Sequence, residues 1–181
     1  QQFFRYLHDS KNINSLCHNR IQCLCEVQTG DIWIGSDGGG ISVLKQDTQD
    51  KDQFIHIKHD PLNPGSLINN IINAIFQDNT GMIWIGTEGG LDRFDPGNKQ
   101  FPYFQHDPNN PHSLINNSVN TIHQDSTGML WIGTDGGLDR FDLEKQQFVH
   151  YMDESSTITT FCRDRTGIFW IGTIGDGVYK F

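Results

Sequence analysis

Apolar residues in this chain fall in short runs, and each run is closed by Gly, Asp or Asn. The clearest begins Ile72-Asn73-Ala74-Ile75-Phe76-Gln77, with counterparts from Ile21, Val119 and Ile158. A turn signature follows it: Asp78-Asn79-Thr80-Gly81, Asp125-Ser126-Thr127-Gly128 and Asp164-Arg165-Thr166-Gly167. Asp caps such a turn with its carboxylate and Gly accepts the left-handed position, so two antiparallel strands are predicted on either side. The first copy has Val27 in place of Asp, which predicts a looser turn there. A second run carries every Trp of the chain: Trp33-Ile34-Gly35, Trp84-Ile85-Gly86, Trp131-Ile132-Gly133 and Trp170-Ile171-Gly172. It leads to a Gly-rich hairpin at Asp37-Gly38-Gly39-Gly40, Glu88-Gly89-Gly90 and Asp135-Gly136-Gly137.

Beyond the hairpin, Leu91-Asp92-Arg93-Phe94-Asp95 and Leu138-Asp139-Arg140-Phe141-Asp142 alternate apolar and charged positions, the period of a strand. A fourth strand is predicted from Gln53-Phe54, Gln100-Phe101 and Gln147-Phe148. Pro102, which cannot donate to a ladder, suits an outer edge. A connector then reads His59-Asp60-Pro61 to Ser66-Leu67 to Asn70, and again His106-Asp107-Pro108 to Ser113-Leu114 to Asn117. Its first version runs from His8-Asp9 through Ser15-Leu16 to Asn19, and the last, Asp153 to Thr157, is much shorter. The spacings Ile72/Ile75 and Val119/Ile122 also fit one face of a helix. The segments are too short for that, and turns bound them on both sides.

The Trp residues are 51, 47 and 39 positions apart. Four antiparallel strands at such a period predict an all-β fold, a β-propeller of four-stranded blades, with Trp33, Trp84, Trp131 and Trp170 in equivalent structural seats. Residues 1–181 then form one propeller or propeller segment. Its repeats lie at about 19–60, 70–107, 117–154 and 158–181, with 1–9 added to the last. The segment 2–9 matches 53–60 in register, and the chain stops after a third strand. Residues 2–9 are therefore expected to act as the outer strand of a blade. Two closures fit: a compact ring of four, or part of a larger ring, and the second is preferred.

Composition narrows the partners. At 181 residues one full core is available. Lys and Arg number 13 against 22 Asp and Glu, a net charge of −9 without a basic run, which disfavours nucleic acid and anionic membrane surfaces. No apolar stretch reaches bilayer-spanning length, so no membrane insertion by this segment is expected. The chain begins Gln1-Gln2-Phe3, which reads as a processed end or an excised piece and fits export. Cys17, Cys23, Cys25 and Cys162 read as buried free thiols. With His18 the first three match no zinc spacing, so no metal or cofactor is expected.

The repeat resembles the two-component regulator propeller repeat. The resemblance is carried by Asn73 through Asp78, Gly81, Trp84 to Thr87, Gly90-Leu91 and Phe94-Asp95, and by Asn120 through Asp125, Gly128, Trp131 to Thr134, Gly137-Leu138 and Phe141-Asp142. It implies the extracytoplasmic, in bacteria periplasmic, sensor region of membrane-bound hybrid histidine kinases. Members commonly carry two seven-bladed propellers, a small β-sandwich, a membrane helix and the kinase, and several sense oligosaccharides. This chain departs from that pattern, with four repeats and none of the other parts.

A propeller gathers connectors and second-to-third-strand hairpins at one mouth. Asn19, Asn70 and Asn117 with Asp37, Glu88 and Asp135 are the candidate ligand-binding set, with Arg93 and Arg140 nearby. Amides and carboxylates suit a hydroxyl-rich oligosaccharide. The competing reading makes each Asn and acid a turn residue, His59 and His106 connector fasteners, and the Asp-Arg pairs inter-blade links. No catalytic triad or phosphate loop is present, so no catalytic residue is assigned. Three functions follow in order: a ligand sensor, an interaction scaffold that self-associates through blade faces, and a glycan lyase or hydrolase using Glu88 or Asp135.

Overall fold

The computed structural model describes residues 2–46, 53–152 and 156–181. It is all-β. Blade 1 comprises β1 (Ile21–Glu26), β2 (Ile32–Ser36), β3 (Ile41–Leu44) and β4 (Phe54–Ile57), and blade 2 comprises β5 (Ile72–Gln77), β6 (Ile83–Thr87), β7 (Gly90–Phe94) and β8 (Tyr103–Phe104). Blade 3 comprises β9 (Val119–Gln124), β10 (Leu130–Thr134), β11 (Gly137–Asp142) and β12 (Gln147–His150), and blade 4 comprises β13 (Thr157–Arg163), β14 (Phe169–Ile174) and β15 (Val178–Lys180). Neighbouring strands in each sheet are consecutive in sequence and antiparallel, as in a propeller blade. The first strand of each blade meets the first strand of the next, which makes these four the inner row.

One feature of the repeated Trp-Ile-Gly explains how blades stack. Ile72, Val119 and Ile158 lie at the starts of the inner strands of blades 2, 3 and 4, and all three are fully buried. Each lies on the Gly of the preceding blade. A Cβ on Gly35 would stand 2.7 Å from Ile72 Cγ2, on Gly86 2.6 Å from Val119 Cγ1, and on Gly133 2.5 Å from Ile158 Cγ2. A side chain there would hold the blades apart, so the glycine is required by close approach. The inner strand of the same blade crowds some of these positions as well: Cys23 Sγ would press on a Cβ at Gly35, Thr121 Cγ2 would stand 2.7 Å from one on Gly133, and Thr160 Cγ2 2.7 Å from one on Gly172 of blade 4.

The turn aspartate has a second task. Asp78 Oδ1 accepts from the N–H and hydroxyl of Thr80 (2.8 and 2.6 Å) and from the N–H of Met82 (3.1 Å), while Oδ2 accepts from Trp84 Nε1 (2.7 Å). Asp125 binds Trp131 at 2.8 Å and Asp164 binds Trp170 at 3.0 Å in the same way. One carboxylate therefore closes the turn and satisfies a buried indole. The glycines ending the turns, Gly30, Gly81, Gly128 and Gly167, have φ between 83° and 92°. Blade 1 corrects an expectation. With Val27 its turn keeps the same backbone bonds, Gly30 N–H to Val27 O at 2.7 Å and Val27 N–H to Asp31 O at 3.0 Å, because backbone and glycine suffice to close it. What Val27 changes is the surroundings of Trp33.

The N-terminal segment also differs from expectation. Residues 2–9 carry no strand, and the blade 4 sheet holds three strands among the described residues. Phe3 is 99% exposed and Phe4 75%. The segment is fastened instead to blade 1. The Tyr6 ring packs edge-on against Phe54, the His8 N–H donates to Asn19 Oδ1, and His8 Nδ1 meets Leu16 O. The physical reason is the open arc: β1 packs on β5, whereas β13 packs on β9 and β10, so the first and last blades lie at opposite ends. The short fourth connector falls partly on 153–155, outside the described residues. The four cysteines are free thiols, but only Cys17 is buried and Cys162 is exposed, against the expectation of burial for all four.

The seats of the tryptophans follow the arc. Trp33, Trp84 and Trp131 are buried, while Trp170 is 39% exposed because nothing among the described residues covers its blade. Replacing Asp78 by Ala should therefore cost about 1–3 kcal/mol, since a fully buried indole N–H loses its acceptor. Asp164→Ala should cost clearly less, because water reaches Trp170. Urea denaturation of both variants checks this, and equal costs would contradict it.

Candidate functional site

The second-to-third-strand hairpins meet the starts of the inner strands. The Asp37 N–H donates to Arg20 O, that of Glu88 to Ile71 O and that of Asp135 to Ser118 O, so each hairpin is sewn to the residue leading into its own inner strand. The N–H groups of Gly38 and Gly40 donate to Asn70 O, so blade 1's hairpin is also sewn to blade 2's connector.

Each inner strand carries a β-bulge at the same place. The register shifts between Ile21 and Cys23, Ile72 and Ala74, Val119 and Thr121, and Ile158 and Thr160. The extra residues are Gln22, Asn73, Asn120 and Thr159, a polar row repeated in all four blades. A bulge re-aims the side chain it carries. Asn73 Nδ2 donates to Glu88 Oε1 (2.9 Å) and to Val119 O of the next blade (3.2 Å). Asn120 Nδ2 donates to Asp135 Oδ1 (2.8 Å) and to Ile158 O (3.1 Å). Glu88 and Asp135 are exposed, and the second carboxylate oxygen of each has no hydrogen bond among the described residues. In blade 1, Arg20 Nη1 pairs with Asp37 Oδ2 at 2.6 Å. Row and hairpins together present amides, carboxylates and one guanidinium at the hairpin side of the blades. The acids stand out in the sequence because they repeat at equivalent hairpins, whereas their amide partners lie in a neighbouring strand. The recurrence of Asn73 and Asn120 at the second inner-strand position was the available signal.

The other expected residues lie elsewhere or are already engaged. The side-chain oxygens of Asn19, Asn70 and Asn117 accept from the N–H groups of His8, His59 and His106, at 2.7, 2.8 and 2.7 Å. His59 Nδ1 and His106 Nδ1 lie 2.6 and 2.9 Å from Leu67 O and Leu114 O. These contacts hold the connectors, as the turn reading of those residues has it. Arg93 and Arg140 do not join the acids. The Arg93 guanidinium sits 5.9 Å from the Trp84 ring centroid and that of Arg140 5.2 Å from Tyr151, and both Nε atoms are buried without a partner.

The neighbouring aspartates anchor the connectors from below. Asp92 accepts the Ile68 N–H on both oxygens, Asp139 accepts that of Ile115 at 2.8 Å, and Ser42 does the same for Cys17 in blade 1. Burial pushes the Asp92 carboxyl up to about 8, against the pull of that N–H. Burial likewise raises Asp139, with Ile115 and His150 (Nδ1 at 2.5 Å) working against it. At Asp125 the balance reverses. Burial opposes ionisation, but Thr127, Trp131 and the Met129 N–H outweigh it and hold the carboxyl low.

These geometries belong to a repeat family. The two component regulator propeller repeat matches residues 15–38, 66–89, 113–136 and 154–175, just over half of the chain. The chain belongs to the two component regulator propeller family. A search of curated proteins finds no significant match. Among solved structures, the extracellular domain of the hybrid two component system BT3049 from B. thetaiotaomicron superposes with a TM-score of 0.79 at 24% identity, covering 98% of this chain and 25% of that one. The extracellular domain of the one component system BT4673 from the same organism gives 0.52 at 25% identity, over 88% and 28%. Virginiamycin B lyase from Staphylococcus aureus gives 0.59 at 15% identity, over 89% and 55%, a likeness of fold alone. The chain spans about a quarter of the length of the sensor domains it matches.

Asp92 sets a pH signature. Its folded value lies above the unfolded one of about 3.9, so its contribution to stability is complete below pH ~4 and is lost as pH rises towards 8. Asp92→Asn removes that titration. The stability of the wild type relative to the variant should fall between pH 4 and 8 in urea melts; a constant or rising difference would show Asp92 ionised throughout.

Proposed function

We propose that this segment is the ligand-sensing part of an extracytoplasmic two-component sensor, and that its ligand is an oligosaccharide. Family membership supports the sensor role. The single observation that carries the ligand class is the bulged polar row with its hairpin acids. Sugars offer many hydroxyls, and carboxylate oxygens and amide carbonyls accept from them directionally while Arg20 donates. Asn73 and Asn120 each bond the acid of their own blade and a carbonyl of the next. A sugar engaging Glu88 or Asp135 thus pulls on a contact between blades, which is a route from binding to altered packing. The segment acts as a binder and not as an enzyme.

The second reading, self-association, rests on the open blade faces. On its open face blade 4 exposes Trp170, Ile174 and Val178, and blade 1 exposes Ile21 and Leu24. Such contiguous apolar surface pairs with a complementary face. In sedimentation the segment should exceed monomer mass, and Ile174→Glu should return it to monomer. A wild type that is monomeric at high concentration would remove this reading.

For the first reading, a panel of oligosaccharides should include one that raises the melting temperature. Asn73→Ala with Asn120→Ala should abolish that rise while leaving the fold intact by circular dichroism. No rise with any glycan would remove the ligand assignment, and glycan turnover lost in Glu88→Gln would transfer the segment to the enzymes.

A further inference from the structure

Blade 1 departs from its siblings at three positions that surround one indole. Directly across from Trp84, Trp131 and Trp170 in the strand pairing stand Arg93, Arg140 and Lys180; across from Trp33 stands Val43. The Arg93 and Lys180 charges lie 5.9 and 5.8 Å from their Trp rings. An outer-strand aromatic covers Trp84 (Phe104, 6.1 Å) and Trp131 (Tyr151, 5.0 Å), where blade 1 has Ile57. The turn aspartate that binds the other three indoles is replaced by Val27. All three substitutions shorten the side chain, and all three residues line one cavity of about 280 Å³ between blades 1 and 2.

The cavity has a polarity of its own. Trp33 is 95% buried by complement of its 5% exposure, lines the cavity, and has no hydrogen-bond acceptor among the described residues. Phe94 of blade 2 forms a second aromatic wall, its centroid 5.3 Å from that of Trp33 at 49°. Asp31, itself buried, also lines the cavity, neutralised by Lys45 at 2.5 Å and held low by that lysine, Thr29 and the Gln46 N–H against the effect of burial. Lys99 also lines the cavity and has no acidic partner among the described residues, so the described lining, Asp31, Lys45 and Lys99, is one positive in excess.

We propose that this cleft is a binding site for a small aromatic carboxylate. The flat apolar body takes the place left by the missing arginine and aromatic side chains, packed against Trp33 and beside Phe94. The carboxylate accepts from the unanswered indole N–H and faces Lys99. A neutral sugar is a poor occupant, because valine and isoleucine walls leave its hydroxyls without partners. A cation over the ring, as in blades 2 and 4, is opposed by Lys45 and Lys99. The site lies at the turn end of the strands, away from the polar row, and does not depend on the sensor reading.

Four indole cross-peaks in a nitrogen-proton correlation spectrum make the test direct. On titration with phenylacetate, the Trp33 peak should move saturably while the other three stay fixed. Phenylacetamide should bind roughly tenfold more weakly, the value of a charge-assisted contact. Val43→Arg, which restores the residue of blades 2 and 3, should abolish the shift while four dispersed indole peaks report an intact fold. Val27→Asp, which supplies the missing acceptor, should do the same. A Trp33 peak that stays still at millimolar phenylacetate, four peaks that move together, or a shift that survives both variants would overturn the proposal.

Discussion

The arc depends on a missing side chain. Gly35, Gly86 and Gly133 each leave a hollow in the second strand of a blade, and the β-branched residue at the start of the next inner strand fills it. The contact is directional, since the hollow lies on one blade and the knob on the next, so repetition builds an advancing stack of twisted sheets. Everything at the mouth inherits its position from this seat. The inner-strand bulge lies beside it, and the bulged Asn reaches sideways to the backbone of the following blade because that blade has come so close.

Around this seat the repeat separates two kinds of buried acid. The turn aspartates receive hydroxyl, indole and backbone donors, which favour the charged form. Asp92 and Asp139, deeper under the connectors, receive fewer donors against a larger desolvation penalty, which favours the proton. The same residue type thus fastens a turn to a Trp in one place and a connector to a third strand in another. Ser42 performs the second task in blade 1 without any charge. Blade 1 is the variant copy throughout, and its loss of Asp, Arg and aromatic side chains around Trp33 turns a packed seat into a cavity.

Much of this was legible from residues alone. The Trp recurrence gave blade number, and the Asp-to-Gly signatures gave the turns because their chemistry is local. Topology explains why the hairpin acids sit beside the residues leading into the inner strands, whereas the connector asparagines are taken up in holding their own connectors. What stayed hidden was non-local. The bulge depends on pairing across strands, and no single-strand pattern announces it. The link from turn aspartate to indole spans six residues and two faces. Arg93 and Arg140 are expected near the mouth, but the alternation of charged and apolar positions around them says only which face they occupy. In fact that face lies over an aromatic ring. Residues 2–9 matched an outer strand in sequence, yet a strand forms only where an edge is within reach.

The most direct test of the stacking contact is a double-mutant cycle between Gly86 and Val119. Gly86→Ala introduces a methyl where Val119 Cγ1 would stand 2.6 Å away, and overpacking of this kind costs about 1–3 kcal/mol. If the glycine exists to admit that valine, the cost should shrink by ~1 kcal/mol or more in a Val119→Ala background, measured by urea denaturation. Strict additivity of the two substitutions would contradict the account, because it would mean that the blades do not meet at this point.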